Sequence, residues 1–230
     1  MPVSLAQVEA RVLYDEGHVL AVDKPAGLPA TGRDLDDTDC MQHLLIQREE
    51  RMVWAVHQID AETSGVLVFV KRRSLVERWQ RRLSAPTTQK SYLAFVHGVP
   101  TWKKAHRIDA PLHYDERARR QAVSEAGRPS TTLVRVRARG EGHALVEARI
   151  LTGRTHQVRA HLAFVGHPLV GEKRYRAPPC EEHPRHALHA WRLRFHDGDA
   201  PAELSAPLPD DLVALAGRLG IALPVELRGH

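Results

Sequence analysis

Apolar and polar positions alternate along the chain in short runs that predict many strands and a few helices. HVLAVDKPAGLPA, from residue 18, reads as a strand running into a loop punctuated by proline and glycine. The β-branched, apolar GVLVFVK predicts a strand over 66–71, KSYLAFVHG predicts another from 90, and LHAWRLRFH predicts a late one from 188. STTLVRVRARG and HALVEARILTG alternate on either side of Glu141-Gly142, the pattern of a hairpin. Helical spacing covers 39–50, with Asp39 as candidate cap, and about Ser74 to Leu83. Thr155 is a candidate cap for a helix that puts Val158, Leu162 and Val165 on one face. PDDLVALAGRLG closes as a short helix, acidic at its start and ending at Gly220. Strands outnumber helices and hairpin patterns recur. The expected fold class is therefore α+β: a mixed, largely antiparallel β-sheet with flanking helices.

The chain shows no repeat, low-complexity tract or obvious linker, so one domain over 1–230 is expected. No apolar run is long enough to span a bilayer, and the first residues lack the pattern of a signal peptide. Two distant cysteines, Cys40 and Cys180, make no disulfide framework and fit a cytoplasmic location. Lys and Arg total 33 against 28 acids, a net charge of +5 that permits nucleic-acid binding without demanding it. Distribution says more. KRRSLVERWQRRL, residues 71–83, holds six basic residues and one acid, Glu77. By charge alone it is a solvated helix face; the sharper reading is a patch that grips phosphates.

Two segments carry candidate chemistry. His57-Gln58-Ile59-Asp60-Ala61-Glu62-Thr63-Ser64-Gly65 is a polar stretch between apolar runs, where loops at strand ends present reactive side chains. Taken alone, Asp60 is equally a turn residue bonding its own backbone. In Thr152-Gly153-Arg154-Thr155-His156-Gln157, a strand gives way to a helix start, whose free N–H groups suit a phosphate or carboxylate. Arg154 there brings a guanidinium able to grip a carboxylate with both arms, or is simply a surface arginine near a cap. Cys180, His183, His186 and His189 are spaced like metal ligands, but Pro184 and the acids Glu181 and Glu182 argue for an exposed loop, so no metal is expected. No Walker loop, dinucleotide fingerprint or Gly-x-Ser-x-Gly elbow is present.

Together these segments resemble a family. His57-Gln58-Ile59-Asp60-Ala61-Glu62-Thr63-Ser64-Gly65-Val66-Leu67 resembles the His-Arg-Leu-Asp-x-x-Thr-Ser-Gly-Leu-Leu signature of RluA-type RNA pseudouridine synthases. Arg154 to Leu162, running on through Gly166-His167-Pro168-Leu169-Val170-Gly171-Glu172 to Tyr175, resembles their second long motif. Asp23-Lys24-Pro25-Ala26-Gly27-Leu28 is similar to their Asn-Lys-Pro-x-Gly element, and Lys90-Ser91-Tyr92-Leu93-Ala94 to their Lys-x-Tyr-x-Ala strand. All four occur in the family's order.

The resemblance implies a central catalytic cleft, Asp60 as catalytic aspartate, Tyr92 packed on the target base and assisting proton removal, and Arg154 paired with the aspartate. It further implies substrate contacts at Lys24, His57, Gln58, Thr63, His156, Gln157 and Arg159. Many relatives carry an N-terminal S4 domain; with the Lys-Pro motif at residue 24, none is expected here. Gln58 departs from the family's arginine and loses its charge and planar fork.

The implied reaction detaches uracil from N1 and rejoins it to the same sugar through C5, so neither cofactor nor metal is needed. The target nucleotide must be flipped out of the RNA stack. A carboxylate near C1′ would stabilise or trap an oxocarbenium-like centre, or could add to the uracil ring. The expected partner is RNA, ribosomal or transfer, with no membrane, and a monomer is expected. Two other classes compete: a catalytically silent RNA-binding or ribosome-assembly factor on the same fold, and a glycoside hydrolase, which needs a second carboxylate. Asp60, Tyr92 and Arg154 together weigh against the first, and the exposed setting expected for Glu62 weighs against the second.

Overall fold

The computed structural model describes residues 5–9, 11–33, 37–196 and 201–227. The chain divides into two compact units, Met1–Thr88 with Ala190–Pro207, and Gln89–His189 with Leu208–His230. In chain order, unit one holds α1 (Leu5–Glu9), β1 (Val12–Glu16), β2 (Val19–Lys24), α2 (Met41–Glu49), β3 (Trp54–Ala55), β4 (Ser64–Val70) and α3 (Val76–Ser84). Unit two follows with β5 (Gln89–His97), β6 (His106–Asp109), β7 (Leu112–Asp115), β8 (Arg120–Val123), β9 (Thr131–Arg139), β10 (His143–Ile150) and α4 (Gln157–Phe164). The chain then returns along β11 (Leu188–Arg194) to unit one, adds β12 (Glu203–Ser205) there, and ends in unit two with α5 (Asp210–Arg218). The fold is α+β on a mixed, largely antiparallel sheet, as the sequence pattern predicts. No helix among the described residues is long and apolar enough to cross a membrane.

In unit one, β2 pairs antiparallel with β1 on one side and β4 on the other, with Lys24 opposite Gly65. Every residue of β4 is buried, which is why its sequence is a continuous apolar run rather than an alternating one. Val66, Val68 and Val70 pack with Trp79 and Leu83 of α3 and with Leu193 and Phe195. Each such buried side chain contributes roughly 1.5–3 kcal/mol. Gly65 has φ +115°, and a Cβ on it would lie 2.2 Å from the Ala190 carbonyl oxygen. Only glycine lets β4 start where it does.

In unit two, antiparallel pairing runs β5–β10–β9–β6, and β7 and β8 form a separate antiparallel pair. Gly142, at φ +68°, turns the β9–β10 hairpin expected around Glu141-Gly142. Val158 and Leu162 of α4 seal Ala94, Val96, Val134, Val146 and Ala148, with Val165 packed at the edge, the face that spacing predicts.

Two predicted caps are corrected. Asp39 does not cap α2; Cys40 does, in extended conformation, its Sγ accepting from His43 N at 3.4 Å. Thr155 does not cap α4; His156 occupies the cap in the left-handed region, without a side-chain cap bond. The Gln157 side chain organises that helix start instead, its Oε1 accepting from Arg154 N at 3.1 Å.

Candidate active site

Unit one presents Asp60 on a braced loop. Ile59, Thr63, Ser64 and Gly65 are buried, while Asp60 and Ala61 are half-buried and Glu62 is exposed, so the loop surfaces again at its tip after Ile59. Thr63 N donates to Asp60 O at 2.9 Å, closing a tight turn directly before β4. His57 Nε2 accepts from Val68 N at 3.1 Å, which turns its ring onto β4. Exposed Gln58 donates through Nε2 to Thr31 Oγ1 at 3.0 Å.

The strut under this loop is Lys24. It is fully buried, and its ammonium donates to the carbonyls of Pro25, Leu28 and Ala61 at 2.7, 2.6 and 2.8 Å. Gly27 N adds a bond to the Ala61 carbonyl at 2.9 Å. An ammonium has three donors, so Lys24 ties the Lys-Pro loop to the residue after Asp60 rather than presenting its charge to substrate. Lys24→Met keeps the buried stem but leaves the Pro25 and Leu28 carbonyls without this donor. The expected loss is about 2 kcal/mol, read as a lowered thermal midpoint together with reduced turnover; an unchanged midpoint would show that the strut is dispensable. Beside it, burial pushes the Asp23 carboxyl up to about 6, against the pull of Arg11 and Lys24.

Unit two presents Tyr92 on β5, opposite Ala148 of β10 and half-buried against the core. Lys90 shares its face, two residues earlier, and burial lowers its ammonium below the usual lysine range. Its Nζ is 3.8 Å from where a Gly153 Cβ would stand, which brings it to the Arg154 turn. Sequence reading gave Lys90 only as part of a motif; the i, i+2 spacing to Tyr92 was the signal for including it. Arg154 donates to Pro129 O at 3.3 Å and lines a cavity of about 540 Å³ with Leu112, His113, Tyr114 and Arg128.

Two further residues expected to touch substrate are committed internally. Gln157, 2% exposed, accepts from Arg154 N and Thr152 Oγ1 at 3.1 and 2.8 Å and donates to Thr131 O and Thr132 Oγ1 at 2.9 and 3.0 Å. That uses its full bonding capacity, so it positions Arg154. Buried Arg159 grips Glu172 with Nε and Nη2 at 2.9 and 2.8 Å. His156 Nδ1 meets the Tyr175 hydroxyl at 3.0 Å, and that hydroxyl also accepts from Gln121 N at 2.8 Å.

The basic run divides as well. Lys71 is paired with Asp15 and Glu49, and buried Arg82 lies 4.7 and 4.3 Å from the Trp79 and Phe195 rings. Arg72, Arg73, Arg78 and Arg81 remain exposed.

The sequence profile of the RNA pseudouridylate synthase family matches residues 18–164. Ribosomal large subunit pseudouridine synthase D of Pseudomonas aeruginosa is 34% identical over 242 residues, spanning 94% of this chain and 73% of that protein. Ribosomal large subunit pseudouridine synthase C of Vibrio vulnificus is 33% identical over 218 residues, 90% of this chain and 69% of that one. The solved structure of human RNA pseudouridylate synthase domain containing 4 shares the fold, with a TM-score of 0.80 at 22% identity over 96% of this chain and 97% of that one. The chain belongs to the RNA pseudouridylate synthase family and is an RNA-modifying isomerase. Within that family it is of the RluA type, the group whose signatures surround Asp60 and Arg154.

Proposed function

We propose that this enzyme isomerises uridine in ribosomal RNA, with Asp60 acting at the sugar or the uracil ring. The braced Asp60 loop carries the reading: one carboxylate at the surfacing tip of a segment that Lys24 and the Asp60–Thr63 turn hold fixed. A fixed carboxylate meets the geometric demand of attack at a flipped nucleotide. Tyr92, by its motif, is the aromatic residue offered to the base, and Arg154 is the basic residue of the second motif. Relatives named for the large ribosomal subunit support ribosomal RNA over transfer RNA. Free Cys40 and Cys180 accord with a cytoplasmic setting, and we read the enzyme as a monomer. Mapping pseudouridines in total RNA, with and without this protein, tests the substrate. Loss of a ribosomal site supports it; loss confined to transfer RNA overturns it.

RNA docking in this reading uses the exposed arginines of the basic run. Replacing Arg72, Arg78 and Arg81 together with Gln should weaken binding to all RNA sequences alike. The log–log salt slope should flatten by roughly 0.7 for each lost contact with single-stranded RNA, so by about 2 for three. Unchanged affinity and slope would make the run a solvated helix face.

A further inference from the structure

We infer that unit two carries a binding site for a thiophilic divalent cation, with zinc the best fit, formed by His97, His143, Cys180 and Glu182. This is independent of the reading of Asp60. The spacing of Cys180, His183, His186 and His189 suggested ligands, but the fold sends His183 to Asp211, 3.3 Å away, and turns Cys180 to a histidine far away in sequence. His97 at the end of β5 and His143 at the start of β10 are cross-strand partners with ring centroids 5.0 Å apart. Cys180 Sγ lies 3.3 Å from His97 Nε2, and Glu182 Oε2 lies 3.2 Å from His143 Nε2. Donor atoms of His97, Cys180 and Glu182 all fall within 4.8 Å of one another. Zinc bonds of about 2.0–2.1 Å to nitrogen and about 2.3 Å to sulfur, set tetrahedrally, put neighbouring donors roughly 3.3–3.6 Å apart.

The hydrogen bonds fix which atoms offer lone pairs. His143 Nδ1 is 2.9 Å from the Glu141 carbonyl, which only accepts, so Nδ1 carries the proton. In the neutral ring, Nε2 then points a lone pair at a carboxylate oxygen, and this buried nitrogen has no hydrogen-bond partner. Two acceptors at that separation repel unless a cation lies between them. At His97, Arg176 donates to Nε2 at 2.7 Å, so that nitrogen also presents a lone pair. Gly171 N donates to Cys180 Sγ at 3.1 Å, which holds the sulfur in place. Gly171 is required there, since a Cβ on it would come 1.9 Å from the Arg185 carbonyl oxygen. On binding, the Cys180 thiol releases its proton to solvent and forms the sulfur–metal bond. One thiolate, one carboxylate and two neutral imidazoles then neutralise a divalent ion. The ion would staple the irregular segment after Gly171, which carries Glu172 and Tyr175, onto β5 and β10. Arg176 occupies the His97 lone pair and must swing aside.

The test uses the full chain, stripped with a chelator and titrated with cobalt(II) and zinc chloride. One equivalent of cobalt(II) should give thiolate charge-transfer absorption and tetrahedral visible bands, and zinc should displace it and raise the thermal midpoint. Glu182→Gln, on an exposed residue, should weaken zinc about 10–100-fold. Cys180→Ser should abolish the charge-transfer band. Arg176→Gln should tighten binding. If Cys180→Ser fails to fold, Glu182→Gln decides. Absence of the cobalt bands, or zinc affinity unchanged in Glu182→Gln, overturns the site.

Discussion

Asp60→Asn should lower turnover by on the order of 10⁴-fold, as removal of an essential catalytic group does, while RNA affinity stays within a few-fold. The substitution keeps the shape of the side chain and removes only its charge. The loop should survive it, because its bracing runs through backbone atoms: Thr63 N to Asp60 O, and Lys24 and Gly27 to the Ala61 carbonyl. Folding and docking are thereby separated from chemistry. An amide neither stabilises an oxocarbenium-like centre as an anion does nor forms the covalent adduct of either route. Tritium release from RNA labelled at C5 of uridine reads turnover, and a filter-binding titration reads affinity. Substantial release by the variant would remove Asp60 from the reaction. Release lost together with affinity would instead make Asp60 an RNA-binding residue.

The sequence showed most of the fold because the strands that matter are buried and regular. β4 is a continuous apolar run, and β9 and β10 alternate around a Glu-Gly turn. The short β1, β3, β6, β7, β8 and β12 went unseen, being too short or too polar to show a period. The catalytic candidates were legible because motif residues sit in fixed order. Their duties were not. A motif marks that a residue is needed without saying whether it faces substrate or protein, and Lys24, Gln157 and Arg159 all face inward. Long-range partners carry that information: Lys24 reaches Ala61, Gln157 reaches Thr131, and Arg159 reaches Glu172. The basic run divided for the same reason, since helical spacing turns Arg82 onto Trp79 while Arg78 and Arg81 stay at the surface.

Arg159→Met should cost about 3–5 kcal/mol at neutral pH, the penalty for stranding one partner of a buried ion pair. The thermal midpoint should fall by on the order of 10 °C. Glu172 is wholly buried, and Arg159 meets both of its oxygens. Burial opposes ionisation of Glu172, yet the Arg159 bonds, with the backbone N–H groups of Arg174 and Tyr175, outweigh it and hold its carboxyl below the usual 4.5. A group depressed in this way stabilises the fold above its unfolded pKa, and that contribution fades as pH falls through the folded value. In the variant, burial acts with only the two backbone donors against it, and the carboxyl moves upward. A raised carboxyl stabilises below its unfolded pKa and loses that contribution as pH rises. The gap between wild type and variant should therefore be smallest in mild acid and widen towards neutrality. Glu172→Leu added to Arg159→Met should recover part of the loss, since no charge is then stranded. Recovery stays partial because Arg174 N and Tyr175 N, 2.8 and 3.4 Å from Glu172 Oε1, lose their acceptor. Turnover should fall along with stability, because Tyr175 leads from this pair to His156. Midpoints measured in mild acid and at neutral pH decide the matter. A gap independent of pH would mean that Arg159 contributes packing against the Tyr175 ring, 5.4 Å away, rather than charge.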